Sequence, residues 1–144
     1  MIIAGRFIDD APYFPVTLVY GEHQGVIWLL ADVGASHTTI LDRDFEYLGI
    51  PFSALELAET KLVGIGGSAR TFLLRDVQIT FISDKGDFLL TRDVRVIQHE
   101  FDKISHDDAK ILFEFPSVLG RDIINQFEFC CDYEAGTVSL ERRG

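Results

Sequence analysis

A chain of 144 residues with 47% hydrophobic and 25% charged side chains has room for one domain with its own core, and is too apolar for disorder as a whole. Thirteen Lys and Arg against 23 Asp and Glu leave a formal charge of −10. That balance argues against a nucleic-acid backbone or an anionic membrane surface as partner.

The opening Met1-Ile2-Ile3-Ala4 has no basic n-region and no adequate apolar h-region, so no signal peptide is expected. Tyr13–Tyr20 is rich in β-formers and predicts a strand, with Pro15 placing it at an edge or a strand start. Gly21–Gly25 reads as a turn. Val26–Ala31 is apolar at every position and is expected as a strand buried on both faces, with Trp28 in the core. This run is far too short to span a membrane. Asp42 is placed to cap a short helix over Arg43–Leu48, which Gly49 and Pro51 end. Ser53–Thr60 reads equally as helix or loop. Thr71–Ile82 and Phe88–Ile97 predict a long hairpin through 83–87. Gln98–Lys110, with two histidines and four acidic residues, reads as a solvated surface loop. Asp122–Gln126 suggests a single short helix. Phe127–Asp132 and Thr137–Leu140 predict a last hairpin through Tyr133–Gly136. Cys130 and Cys131 are neighbours, which rules out a disulfide framework and suits a reducing, cytoplasmic compartment; alternation along the strand should bury at least one of them. The chain therefore reads as all-β with one or two short helices, a barrel or a sandwich, forming one domain over residues 1–144.

Three segments carry chemistry. Trp28-Leu29-Leu30-Ala31-Asp32-Val33-Gly34-Ala35-Ser36 brings a carboxylate to the end of an apolar strand and then turns sharply. Such a carboxylate needs a compensating role, either accepting amide hydrogen bonds in a turn or doing chemistry. Gly64-Ile65-Gly66-Gly67 lies between two strand-like runs as the tip of a hairpin, where glycine allows close approach to a ligand. A phosphate-binding loop is disfavoured, because no Gly-Lys-Ser/Thr follows. Leu119-Gly120-Arg121-Asp122-Ile123-Ile124 joins a strand end to a short helix.

In that order, these motifs resemble the retropepsin family of aspartic proteases, the retroviral proteases and their cellular relatives. The resemblance covers roughly Tyr13 to Leu140. It implies a single-domain acid-protease barrel, homodimeric, with endopeptidase activity and no cofactor or metal. It assigns Asp32 as the catalytic aspartate, Val33, Gly34, Ala35 and Ser36 as the active-site loop, Gly64, Ile65, Gly66 and Gly67 as the flap tip over the substrate, and Gly120, Arg121 and Asp122 as structural support. Peptide hydrolysis by carboxylates alone needs two of them, one as base towards water and one as acid towards the carbonyl. The chain holds a single Asp-x-Gly-Ala segment, so the second carboxylate is expected from a two-fold partner copy. The expected partners are that copy and a peptide or protein substrate.

Two positions depart from the family pattern. Val33 stands where the family has Thr or Ser, whose hydroxyl braces the two active-site loops. Ser36 stands where retroviral members carry an acid that pairs with the arginine of the Gly-Arg element, so Arg121 must find another partner. Val33 motivates an alternative, a weak or inactive dimerisation or peptide-binding module; a monomeric barrel without a composite site is a third. Ser36 and His37 are adjacent and lack an oxyanion-hole signature, which disfavours a serine hydrolase. His99 and His106 with Glu100, Asp102, Asp107 and Asp108 match no common zinc spacing.

Overall fold

The β-rich runs pair into a closed network. The computed structural model describes residues 1–58, 62–64 and 67–143. Two short N-terminal strands, β1 (Ile2–Ala4) and β2 (Arg6–Ile8), lead into β3 (Ala11–Tyr20) and β4 (His23–Ala31). β5 (Thr39–Ile40) precedes helix α1 (Asp42–Leu48); a single 3₁₀ turn, Phe52–Ala54, leads to β6 (Glu56–Leu57). β7 (Leu62–Gly64), β8 (Gly67–Ser83) and β9 (Gly86–His99) follow. A 3₁₀ turn, Phe101–Lys103, then leads to α2 (His106–Phe113), β10 (Val118–Leu119), α3 (Arg121–Ile124), β11 (Glu128–Asp132) and β12 (Thr137–Glu141).

Strands β3, β4, β10, β5, β9 and β8 are hydrogen-bonded in that order, and β8 pairs back to β3 through Thr17–Val19, so the path closes as a barrel. Closure removes the open edges that a long hairpin would otherwise expose. β1, β12 and β11 form a separate three-stranded sheet. One apolar core spans both, with Phe14, Leu29, Leu74, Phe81, Leu119, Ile123 and Leu140 essentially inaccessible. Among the described residues, no helix is long and apolar enough to cross a membrane.

Local chemistry explains most of the elements. Pro15 lies on β3 where pairing with β2 has ended at Tyr13 and pairing with β8 begins only at Thr17, so its missing N–H leaves no ladder bond unmade on that side. Gly49 ends α1 at φ 69°, its N–H bonded to the Glu46 carbonyl. The β8–β9 hairpin carries a bulge between Leu74 and Val77, where Asp76 stands at φ 56° and its N–H is held by Asp93. Register pairs Asp132 with Thr137 across Tyr133–Gly136, as the turn residues predict.

Several expectations are corrected. The first turn is only Gly21 and Glu22, since Tyr20 already pairs with His23; Gly25 belongs to β4, where an added Cβ would lie 2.8 Å from the Tyr47 ring of α1. Val26–Ala31 is not buried on both faces. Ile27 and Leu29 are core, Val26 is 55% exposed, and Trp28 is half-buried beneath the Arg6 guanidinium. A closed barrel with one uncovered outer face buries only alternate residues. Asp42 does not cap α1: Leu41 is the cap residue and makes no side-chain bond. The Asp42 carboxylate instead accepts the His99 backbone N–H at 2.9 Å and meets His99 Nδ1, tying the end of β9 to α1. Gln98–Lys110 is not a loop throughout. It holds the end of β9, a 3₁₀ turn and the start of α2, whose N-cap Ser105 accepts from Asp108 N–H. Neither cysteine is fully buried: Cys130 is intermediate and Cys131 exposed, both unbridged. Glu141 beside Cys130 pushes its thiol pKa up.

Candidate active site

The candidate site forms where two parallel strands end together. β4 and β10 run side by side, Leu30 opposite Val118 and Ala31 opposite Leu119. The ladder continues one bond further, from Asp32 N–H to the Leu119 carbonyl at 3.0 Å. Past that point both chains turn away, β4 into the loop 32–38 and β10 into α3. Asp32 is thus the first residue beyond the sheet, half-buried. Its Oδ1 accepts the Gly34 N–H at 2.9 Å, and its carbonyl accepts the Ala35 N–H at 3.1 Å. Two short bonds curl the loop around the carboxylate. An added Cβ on Gly34 would lie 3.1 Å from that same oxygen, tighter than ordinary contact. Val33 points outward, 57% exposed, and Ser36 and His37 are exposed.

The Gly120–Asp122 turn holds this loop from behind. Arg121 N–H donates to the Ala35 carbonyl at 2.8 Å, and Arg121 Nη1 to the Val33 carbonyl at 3.0 Å. Arg121 therefore finds its partner in main chain rather than in an acidic side chain. Asp122 Oδ1 accepts both Thr38 N–H, at 2.9 Å, and Thr38 Oγ1–H, at 2.7 Å. The same hydroxyl accepts Gly120 N–H at 3.0 Å. Gly120 leaves no room for a side chain: a Cβ would stand 2.5 Å from the His37 carbonyl carbon and 2.8 Å from Thr38 N.

Residue-level reading of the sequence missed this role of Thr38, which is 1% exposed. The signal was a threonine inside an otherwise polar turn, uninformative until Asp122 is known to face it. It also missed Asp44 and Ser117. Ser117 Oγ donates to buried Asp44 at 2.6 Å and accepts Leu41 N–H at 2.9 Å, fixing β10 against α1.

The Gly-rich segment is placed in part. β7 and β8 pair with Gly64 opposite Gly67, a hairpin about the expected tip. Ile65 and Gly66 lie outside the described residues. Beside the Asp32 loop opens a cleft of about 390 Å³, lined by Gly34, Ala35 and His37 and, from β5, β8 and β9, by Thr39, Thr71 and Arg95. A larger hollow of about 680 Å³ lies at the chain termini around Met1, Phe127 and Arg142 and contains no residue of the Asp32 loop. Among the described residues, no three His, Cys, Asp or Glu side chains are placed to hold a metal.

No family model and no curated protein matches the sequence. Solved structures do match. A retropepsin-like aspartic protease from Rickettsia conorii superposes with a TM-score of 0.58 over 97% of both chains, at 17% identity. The fold is that of the retropepsin-like aspartic proteases. The retroviral protease-like domain of Ddi1 from Leishmania major has the same retropepsin-like arrangement, with a TM-score of 0.54 and 13% identity over 92% of this chain and 94% of that one. At such identities the likeness concerns the fold. β4, which ends before Asp32, β10, which ends before Gly120, and the paired strands β7 and β8 belong to one sheet.

Proposed function

We propose that the chain is an aspartic endopeptidase whose working form is a two-fold homodimer, with Asp32 of each copy supplying one carboxylate. The observation that carries this reading is the Asp32 loop itself. It presents one carboxylate just past the end of β4, in a loop clamped from behind by Arg121 and Asp122 and open to a cleft at its side. One such carboxylate is half of what hydrolysis needs. Two brought close by symmetry share a proton, because both cannot ionise at short range. The ionised one then takes a proton from water as the oxygen attacks the peptide carbonyl. The protonated one gives its proton to the carbonyl oxygen. Collapse of the tetrahedral intermediate breaks the C–N bond, and the amine leaves with a proton returned by the pair. The Gly64–Gly67 hairpin is the flap that covers an extended substrate, whose backbone pairs as an added strand. No metal or cofactor takes part. Unbridged Cys130 and Cys131 suit a reducing, cytoplasmic setting.

A second reading is supported by Val33. Its side chain is exposed at the site and offers no hydroxyl to a partner copy. In that reading the dimer binds peptides without turning them over.

The test is digestion of an unfolded protein substrate across about pH 3 to 7, with wild type and Asp32→Asn side by side and oligomeric state measured by sedimentation in the same samples. Cleavage by wild type alone, highest at acidic pH and rising faster than linearly with protein concentration, is the expected result. Cleavage surviving in Asp32→Asn, or cleavage by a demonstrated monomer, overturns the shared pair. A dimer that binds peptide without Asp32-dependent turnover selects the second reading.

A further inference from the structure

The outer wall of the barrel carries a face without charge. Thr17 on β3 pairs with Val26 on β4 and with Thr80 on β8, and Thr80 pairs with Leu89 on β9, so one row of side chains crosses four strands. Leu18, Ile27 and Ile79, which alternate with this row, are core, so the row points outward. The same registers set a second outward row, Gln24–Val19–Gln78–Thr91. Neither row holds a charged residue, in a chain that is 25% charged. Val26 and Leu89 are more than half exposed, and Ile82, two positions beyond Thr80, is 75% exposed. Apolar groups grouped in this way mark interaction surfaces, whereas scattered ones do not. Beyond the bulge at Leu74–Val77 the same two strands change character: Arg75, Asp76 and Asp93 are exposed there, and Arg75 pairs with Asp93.

We infer that this neutral face of β4, β3, β8 and β9 is a self-association surface, on which a second copy of the chain packs the same face. Charge chooses that occupant. Each copy carries a formal −10, and a face without charges lets two such copies meet with no like-charge contact. A charged partner finds no complement there. Shape agrees, because a twisted sheet is matched by a second sheet of the same twist about 10 Å away, and a two-fold contact sets the patch against itself. Strand and residue spacings make the patch roughly 20 Å across, so two of them remove on the order of 1,000 Å² from water. That is the low end of specific interfaces, and the association is accordingly weak, in the micromolar range. None of these residues lines the cleft beside Asp32, so the inference does not depend on the peptidase reading. Where copies also pair through Asp32, this face joins the pairs into a tetramer.

The experiment is sedimentation of the full chain from about 5 to 500 μM protein and about 0.05 to 0.5 M salt. Wild type is compared with Val26→Lys, Leu89→Lys, Leu89→Thr and, as a control away from the face, Ile111→Lys on α2, which is 62% exposed. Circular dichroism confirms the fold of each variant. The mass of wild type should grow with concentration. Val26→Lys and Leu89→Lys should each weaken that growth tenfold or more, leaving at most the smaller species, and Ile111→Lys should leave it unchanged. Leu89→Thr, which removes apolar surface and keeps a strand-forming residue, should weaken it severalfold and keeps the test decisive if the lysine variants do not fold. Added salt should strengthen the part that Val26→Lys removes, because salt screens the repulsion between acidic copies and there are no ion pairs in the contact to dissolve. A wild-type mass that stays constant, or growth that survives the Val26 and Leu89 changes, overturns the inference. So does equal loss in Ile111→Lys, which would move the contact to α2, or an association that salt dissolves.

Discussion

Arg121 clamps the loop on both sides of Gly34: its Nη1 donates to the Val33 carbonyl at 3.0 Å and its backbone N–H to the Ala35 carbonyl at 2.8 Å. The first bond depends on the side chain and the second does not. Arg121→Met should therefore loosen the residue next to Asp32 while leaving α3 docked. The expected cost is about 1 kcal/mol, a fall in Tm of about 3 °C for a chain this size. If Asp32 is catalytic, kcat should fall more than KM changes, since a looser carboxylate misplaces chemistry before it misplaces substrate. Thermal melts and steady-state kinetics check both parts; an unchanged Tm would show that the guanidinium bond carries no weight.

Thr38 is the buried link between the loop and α3. Its hydroxyl donates to Asp122 Oδ1 and accepts from Gly120 N–H. Thr38→Val keeps the shape, strands the Gly120 N–H and leaves Asp122 Oδ1 only the Thr38 N–H, which should cost about 2–4 kcal/mol. Thr38→Ser keeps both bonds and loses a methyl, and should cost about 1 kcal/mol. Urea denaturation of the two variants measures the difference. Equal losses would mean packing, not hydrogen bonding, holds the loop.

Gly120 is a packing requirement rather than a conformational one, since its φ of −96° suits any residue. The obstacle is backbone: an added Cβ would stand 2.5 Å from the His37 carbonyl carbon and 2.7 Å from its oxygen. Backbone cannot swing aside as a side chain does, so the loop and α3 must separate. Gly120→Ala should cost about 3 kcal/mol or more, and abolish any activity that depends on Asp32. A soluble variant with wild-type stability would contradict this geometry.

Asp84 ties the β8–β9 turn to the first strand, its Oδ1 accepting Ile2 N–H at 2.7 Å while its own N–H donates to the Ile2 carbonyl at 3.0 Å. The Ile2 N–H holds the carboxyl pKa below its ordinary 3.8, helped by the nearby N-terminal ammonium and Lys85 and opposed by partial desolvation. A depressed folded-state pKa contributes stability that is present above the unfolded value and is lost as pH falls through the folded one. Tm should therefore differ between wild type and Asp84→Asn from neutral pH down to about pH 4, and the two curves should converge below it. Parallel melts from pH 2.5 to 7 test the sign. A gap that widens on acidification would reverse it.

Val33 is 57% exposed, so Val33→Thr should leave stability within about 0.5 kcal/mol of wild type. If a missing hydroxyl brace between two copies limits the site, the substitution should raise turnover severalfold and tighten the dimer. Unchanged turnover at unchanged stability would show that Val33 is no handicap.

Much of this molecule is legible in the residues. Alternating β-formers, turn residues at 133–136 and glycine after α1 predict elements that the structure contains, because each is decided by chemistry within a few positions. The order of the Asp32, Gly64 and Gly120 segments pointed to the retropepsin-like fold for a related reason: a strand end, a hairpin and a strand-to-helix turn each have a local signature. Errors fell where a local rule competed with a distant partner. Asp42 had every mark of a helix cap, yet His99, fifty-seven positions away, takes its carboxylate. Ser105 could have announced α2, but the surrounding charge masked it.

Sequence alone determined which residues favour strands, where the chain must turn, and that a single carboxylate follows the apolar run at 26–31. Only the tertiary structure decided what those residues serve. Barrel closure between β3 and β8 leaves one face of β4 outside, so Trp28 and Val26 are not core. Packing of α3 beneath the loop gives Arg121 a carbonyl in place of an acid, and makes Thr38 its buried link. Pairing of β5, β9 and β8 sets Thr39, Arg95 and Thr71 around one cleft. Local preferences act over one turn or one strand, whereas these partners lie tens of residues apart and meet only when the whole sheet has closed.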